Sequence, residues 1–169
     1  LWYLIGCEHY KRKEYKEAVE AWENFHKVYA NDELTNDGLR KMCLLAAYHS
    51  TSLAESTRLI DRARELGANP AACDELLAQK QLHMAEMSAG IRTLTRLKKQ
   101  ADLSALSSYN LGVALLLQGE VKQAIDHLNT AWQASTGDLH GQSAWALAAC
   151  FAHNHEWSQA EQLIPELMN

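Results

Sequence analysis

The sequence is poor in proline and has no long apolar run. Only two of its 169 residues are proline, so long stretches are free of the residue that most strongly interrupts helices. The apolar start LWYLIGC is far shorter than the roughly 20 residues that cross a bilayer, and it lacks the basic leader of a signal peptide. The composition therefore favours a helical protein that does not insert into a membrane.

Sequence motifs of catalysis are also missing. There is no GxSxG, no HExxH, no glycine-rich phosphate loop and no paired-carboxylate spacing. Cys150, His153 and His155 form a CxxHxH pattern that could bring a thiolate and an imidazole onto one helical turn, but a zinc site needs a fourth ligand. His49 and His83 would add ligands only if the fold brought them together. We therefore expect no enzymatic activity, no metal and no cofactor, and we interpret His153 and His155 as part of a polar turn between two helices.

The cysteines are few, far apart and never arranged as CxxC. They are Cys7, Cys43, Cys73 and Cys150. A disulfide framework would be typical of a small secreted protein, whereas 169 residues can bury a continuous core without such crosslinks. We predict reduced, packed thiols and a cytoplasmic location.

An excess of basic charge is absent as well. The chain carries 16 basic and 21 acidic residues, and binding to a nucleic-acid backbone requires a basic surface. The clusters Lys11-Arg12-Lys13 and Lys98-Lys99 lie at the ends of predicted helices, where cations favour the helix dipole and solvent. The charge distribution therefore disfavours nucleic acid as a partner.

The most informative pattern is a repeat of large, small, large and apolar residues spaced three, four and three positions apart. Spacing of this kind places the four side chains on one stripe of an α-helix. The small residues follow one another by 38, 34, 34 and 36 positions. The five sets are Tyr15-Ala18-Trp22-Phe25, Leu53-Ser56-Ile60-Ala63, Met87-Gly90-Leu94-Leu97, Val121-Ala124-Leu128-Ala131 and Trp157-Ala160-Ile164-Leu167.

Another small residue usually lies twelve positions before the small residue of each set. These earlier residues are Gly6, Leu44, Ala78, Gly112 and Ala148, of which only Leu44 is large. Each repeat therefore predicts two antiparallel helices that touch at paired small residues, as expected where two backbones cross closely. Short turns such as Lys13-Glu14, Gly119-Glu120 and His155-Glu156 would join them.

The pattern resembles the tetratricopeptide repeat, a helix–turn–helix unit of about 34 residues. The matching residues include Trp2, Gly6, Tyr15 and Ala18 in the first repeat and Leu111, Gly112, Gly119, Ala124 and Ala131 in the fourth. The second repeat matches poorly, because Leu44 and Ser56 replace small residues, and Pro70 only approximates the proline that often ends a repeat. The resemblance covers the whole chain and implies an all-α, right-handed superhelical solenoid of about ten helices.

The predicted domain is a single array over residues 1–169. Its five repeats span approximately residues 1–34, 35–70, 71–104, 105–138 and 139–169. The chain begins inside a repeat and ends within the second helix of the fifth, so we expect it to be a fragment of a longer protein. Ile164, Leu167 and Met168 would lie on an uncapped apolar stripe, and they are candidates for end-to-end contact or self-association.

By the same resemblance, the first helices line the concave wall of the solenoid and carry the binding residues. Tyrosine and tryptophan on such a surface are typical of binding hot spots, although aromatic side chains at helical spacing are also typical of a core. A clamp for a C-terminal carboxylate would need several charged donors, and only Lys41 stands at such a position. The candidate partner-binding residues are Tyr3, Tyr10, Lys41, Tyr48, Tyr109, Val113, Leu116 and Trp145.

These features predict a protein–protein interaction scaffold or adaptor. Its ligand would be a helical or extended peptide with apolar anchors, held in the concave groove. Two alternatives remain open: a chaperone-like holder of an apolar client segment, such as those of bacterial secretion systems, and a purely structural array that associates through its ends.

Overall fold

The computed structural model describes residues 1–30, 32–100 and 102–167, with residues 166 and 167 described in their backbone only. Throughout these ranges the regular structure is α-helical. The helices are α1 (Trp2–Lys11), α2 (Tyr15–Val28), α3 (Glu33–His49), α4 (Leu53–Glu65), α5 (Pro70–His83), α6 (Met87–Lys98), α7 (Ala105–Leu117), α8 (Val121–Ala134), α9 (Gly137–His153), α10 (Trp157–Gln162) and α11 (Ile164–Leu167).

Helices occur in consecutive pairs at the positions of the sequence repeats. Pro70 is the first residue of α5 rather than the end of a repeat, and this position suits proline because a helix leaves its first N–H groups unpaired. In the fifth repeat the second helix is interrupted at Leu163, which separates α10 from α11. Pro165 follows, and it has no N–H to continue the helical hydrogen bonds.

Four of the turns within pairs share one backbone geometry. The residue before a glutamate adopts positive φ, and the glutamate N–H donates to the carbonyl five residues earlier, as in the bond from Glu120 to Leu115 at 2.9 Å. This bond satisfies a carbonyl at the end of the first helix. The four positive-φ residues are Lys13, Ala85, Gly119 and His155.

The turn of the second repeat is different. Ser50 and Ser52 both have an extended backbone, and a side chain of α5 donates hydrogen bonds to carbonyls at the end of α3. Lys80 of α5 is buried, and its Nζ donates to the carbonyls of Tyr48 at 2.8 Å and Ser50 at 2.6 Å. Burial lowers the pKa of Lys80. A cation is well placed there, because the carbonyl end of a helix carries partial negative charge.

The chain forms two compact units, Leu1–Lys80 and Gln81–Asn169. The core of the first unit is built from α2, α3, α4 and the start of α5, with Leu39, Cys43 and Ile60 fully buried. In the second unit, Leu111 and Leu128 are fully buried where α7 packs against α8.

Glycines make room for large side chains of neighbouring helices in both units. In the first, the indole of Trp22 lies between α1 and α3: a Cβ on Gly6 would fall 1.8 Å from its Cδ1, and a Cβ on Gly38 would fall 1.9 Å from its Cζ3. In the second, a Cβ on Gly112 would lie 2.6 Å from Cγ of Leu128 and 3.2 Å from the carbonyl oxygen of Ala124. The predicted contact of paired small residues is confirmed for Gly112 and Ala124.

The structure accommodates both residues that make the second repeat a poor match, Ser56 and Leu44. Ser56 stands where the other repeats have alanine or glycine, and it is fully buried. Its hydroxyl donates to the carbonyl of Ala47 at 3.0 Å, so the added polar group is paired. Leu44 is only partly buried and packs at the edge of the core.

Gly6→Ala should lower the free energy of unfolding by about 2 to 3 kcal/mol, because the new methyl group overlaps the Trp22 ring. The cost should fall in a Trp22→Leu background. Gly141→Ala is the matched control, because that helical glycine has no neighbour within 4 Å of an added Cβ, and it should raise stability by about 0.5 to 1 kcal/mol. Urea denaturation followed by circular dichroism measures all of these values; equal effects of the two alanines would contradict the packing described.

The positive-φ turns can be tested with a reciprocal pair of substitutions. Ala85→Gly should stabilise the protein by about 0.5 to 1 kcal/mol, because alanine is strained at φ 63° and glycine is not. Gly119→Ala, at φ 83° with open space around the new Cβ, should destabilise it by a similar amount. Urea midpoints that move in the same direction for both variants would be inconsistent with this turn geometry.

Candidate partner-binding surface

In the first unit, the three candidate tyrosines are all exposed at about half of their surface. Tyr3 and Tyr10 lie on α1, and Tyr48 lies on α3. The Tyr3 ring packs 5.3 Å from Trp22 and 5.7 Å from Phe25, so it is anchored on the second helix of its own repeat while one side remains open.

Tyr10 and Tyr48 are joined by a chain of ring contacts. Tyr10 lies 6.3 Å from Tyr15, Tyr15 stacks on His49 at 4.4 Å, and His49 meets Tyr48 edge-on at 5.0 Å. Packing of this kind limits the rotamers of the exposed rings, which reduces the entropy lost when a ligand covers them. The structure therefore links these two candidates through Tyr15 and His49, for which the sequence had not predicted this role.

Lys41 is exposed, but its charge is already matched. Its Nζ lies 2.6 Å from Oδ2 of Asp37, and hydrogen bonds from Lys41 and Arg40 lower the pKa of that carboxyl. A lysine with a carboxylate neighbour is a weak site for a second carboxylate. Its surroundings therefore disfavour the clamp further.

In the second unit, the candidates differ in how accessible they are. Tyr109, Val113 and Leu116, all on α7, are half-buried. Trp145 on α9 is 67% exposed. Of these four residues, Trp145 presents the largest accessible ring to a partner.

Trp145 borders an open apolar cavity of about 380 Å³. Ala149 and Ala152 of α9 line the same cavity. The other wall comes from α10 and α11, whose contribution the sequence had not indicated. We call this surface the last-repeat face, and its residues are Trp145, Ala149, Ala152, Trp157, Ala160 and Ile164.

Two further exposed features were not predicted. Trp157 is 59% exposed, whereas the residues at its position in the earlier repeats, Tyr15, Leu53, Met87 and Val121, are partly buried. In the first unit, a cavity of about 510 Å³ is lined by Tyr3, Trp22 and Phe25 together with Leu34 at the start of α3. Leu34 is 82% exposed. Leu34 belongs to none of the five repeated sets, and this is the sequence feature that could have indicated its exposure.

Of the candidate end residues, Ile164 is 48% exposed. The side chain of Leu167 and the whole of Met168 lie outside the described residues. Their proposed role in end-to-end contact remains a prediction.

The CxxHxH residues do not converge. Cys150 is fully buried, whereas His153 and His155 are exposed and His155 occupies a positive-φ turn. Within residues 1–30, 32–100 and 102–167, no three histidine, cysteine, aspartate or glutamate side chains are placed to hold a metal ion. Over those same ranges, every helix is too short or too polar to cross a membrane.

The fold defines a class of protein. The chain is an all-α, tetratricopeptide-like helical repeat protein of the solenoid type, as predicted. No family model and no curated protein matches its sequence.

The resemblance in fold to solved structures is extensive. The chain aligns with the crystal structure of MamA over 97% of its own length and 92% of that chain, with a TM-score of 0.72 and 16% identity. The chain aligns with MamA from Desulfovibrio magneticus RS-1 over 99% of its own length and 91% of that chain, with a TM-score of 0.72 and 15% identity. It aligns with the apo form of RapI over 98% of its own length and 51% of that chain, with a TM-score of 0.75 and 17% identity. The chain therefore spans about half of RapI. At these identities the likeness concerns the fold alone.

Thiol chemistry offers a test of the first-helix faces. Cys7 is half-buried on α1, whereas the other three cysteines are buried, and burial raises the pKa of Cys43 to about 12 and that of Cys150 to about 11. At pH 8 we expect one fast-reacting thiol per chain with Ellman's reagent and four in guanidinium, because the reagent reaches an accessible thiol and not a buried one. Cys7→Ser should remove the fast phase. Two or more fast thiols in the native protein would contradict the described burial.

Proposed function

We propose that the chain is a protein–protein interaction scaffold or adaptor that binds an apolar segment of a partner on the exposed faces of its first helices. The observation that carries the proposal is the exposure of aromatic rings on those helices. Tyr10, Tyr48 and Trp145 each leave about half or more of their surface open. Repeat arrays use such surfaces for binding.

The chemistry of these faces favours apolar anchors in the partner. Tyrosine and tryptophan supply large contact areas with few rotatable bonds, and they are enriched among the residues that dominate binding energy. The cavity beside Trp145 is lined by alanines and Ile164, with Glu161 as its only charged lining residue among those described. Leucine-like side chains of a helix or extended peptide suit such a surface.

The test is a double substitution, one in each unit. Tyr48→Ala with Trp145→Ala should weaken binding of the partner more than a hundredfold, since each ring is worth about 2 kcal/mol or more at a hot spot. Both rings are exposed, so helicity and the urea midpoint should change little. The partner is first identified by affinity purification with the wild-type chain, and its affinity is then measured by calorimetry.

Tyr29→Ala provides the control. This tyrosine is also half exposed, but it lies at the end of α2, a second helix. It should leave affinity unchanged. Binding that survives the double substitution, or falls equally with Tyr29→Ala, would exclude the first-helix faces as the binding surface.

A further inference from the structure

The ionisable side chains of α6 are all basic. From residue 87 to residue 100 the sequence has four basic residues and no aspartate or glutamate, although acidic residues outnumber basic ones by 21 to 16 in the whole chain. Arg96 and Lys98 lie in the last turn of the helix, where the helix dipole favours a cation. Arg92 lies in the middle of α6, so the dipole does not account for it.

Arg92 also differs from the arginines of the first unit in having no carboxylate partner. All five arginines of the first unit form such pairs, which are Arg12–Glu8, Arg40–Asp37, Arg58–Glu55, Arg62–Glu23 and Arg64–Asp74. Among the described residues, no acidic side chain pairs with Arg92. A guanidinium has five N–H donors, and those of Arg92 are open to an acceptor from outside the chain.

Arg92 lines an open pocket of about 320 Å³ in the second unit, between the end of α5 and α6. We call it the arginine pocket, and its residues are Gln81, Ala89, Arg92, Thr93 and Arg96. The last three lie three, four and seven positions after Ala89, which places all four on one face of α6. None of the five lining residues is acidic, and two of them are cationic.

The neutral side chains of the pocket are held in place by hydrogen bonds. The Oγ1 atom of Thr93 lies 2.9 Å from Oε1 of Gln81 and 3.0 Å from the carbonyl oxygen of Ala89. Gln81 and Thr93 are partly buried, whereas Arg92 and Arg96 are exposed. A ligand that enters from solvent therefore reaches both guanidinium groups beside a polar, uncharged wall.

We propose that the arginine pocket binds the phosphate group of a phosphorylated side chain on a partner protein. A phosphate monoester carries a charge of about −1.5 to −2 at neutral pH and has three strong acceptor oxygens. A planar guanidinium can bind two of these oxygens at once. A carboxylate offers a single charge and two oxygens, and it uses fewer of the donors that two arginines present.

The charges of the chain favour a protein over a nucleic acid as the source of the phosphate. Binding to a nucleic-acid backbone needs a basic surface that contacts several phosphates, whereas the chain has a net charge of −5 and its first-unit arginines are paired. The inference rests on the proposed function only in that the phosphate belongs to a protein partner. None of the pocket residues is among the candidate partner-binding residues.

The probe is a blocked tripeptide with phosphoserine between two glycines, and its match has glutamate in place of phosphoserine. Each is titrated into the whole ¹⁵N-labelled chain at constant ionic strength, and the Nε–Hε signals of the arginines are followed by NMR. The phosphoserine tripeptide should shift the signals of Arg92 and Arg96 saturably, with a dissociation constant of about 1 to 10 mM. The signals of the first-unit arginines should shift little, and the glutamate tripeptide should bind at least about fivefold more weakly.

A charge-matched pair of variants separates the pocket from the general charge of α6. Arg92→Gln should weaken binding of the phosphoserine tripeptide at least about tenfold, measured on the Arg96 signal. Lys98→Gln removes the same charge from the same helix, but Lys98 does not line the pocket; burial and the charge of Lys98 lower the pKa of His127 on α8. It should change the affinity less than about twofold. Both side chains are exposed, and circular dichroism checks that each variant is folded.

Four results would overturn the proposal. They are the absence of a saturable shift at Arg92, equal affinity for the phosphoserine and glutamate tripeptides, equal weakening by Arg92→Gln and Lys98→Gln, and tighter binding of octathymidylate than of the phosphoserine tripeptide. The last would identify a nucleic acid as the ligand. The Tyr48→Ala, Trp145→Ala double variant should bind the tripeptide as the wild type does, so failure of this inference and failure of the proposed function are distinguishable.

Discussion

The structure depends on close approach between helices at residues that have little or no side chain. The Trp22 ring lies between Gly6 and Gly38 with no room for a methyl group on either glycine. Leu128 packs against Gly112 in the same way. Interiors are packed at crystal-like density, so a single added carbon at such a contact must displace a helix. The spacing of small residues therefore fixes where the helices of a pair cross.

Repetition of that contact has a consequence for binding. The second helices α2, α6 and α8 also pack against the first helix of the following repeat. In the last repeat, the equivalent side chains of Trp157 and Ile164 are exposed beside Trp145. A partner that covers this apolar surface would gain about 25 cal/mol per Å² of apolar surface buried.

The helices and their crossings were predictable, because the positions of Gly112 and Ala124 follow from local spacing. The exposure of candidate site residues was not. Tyr109 and Trp145 occupy the same repeat position, yet Tyr109 is half-buried and Trp145 is exposed. The first helix of the next repeat, α9, contacts α7, whereas the described part of the chain has no such helix after α9. Likewise, no local pattern indicates that Lys80 caps a helix that ends more than thirty residues earlier. Such features depend on contacts between distant segments.

The central claim is that the first helices and the last-repeat face receive an apolar segment of a partner. Hydrogen–deuterium exchange of the chain with and without its purified partner tests this most directly. The account predicts slower exchange in residues 39–49 and 141–164 and unchanged exchange in residues 53–65. Protection confined to residues 53–65, which form α4, would contradict it.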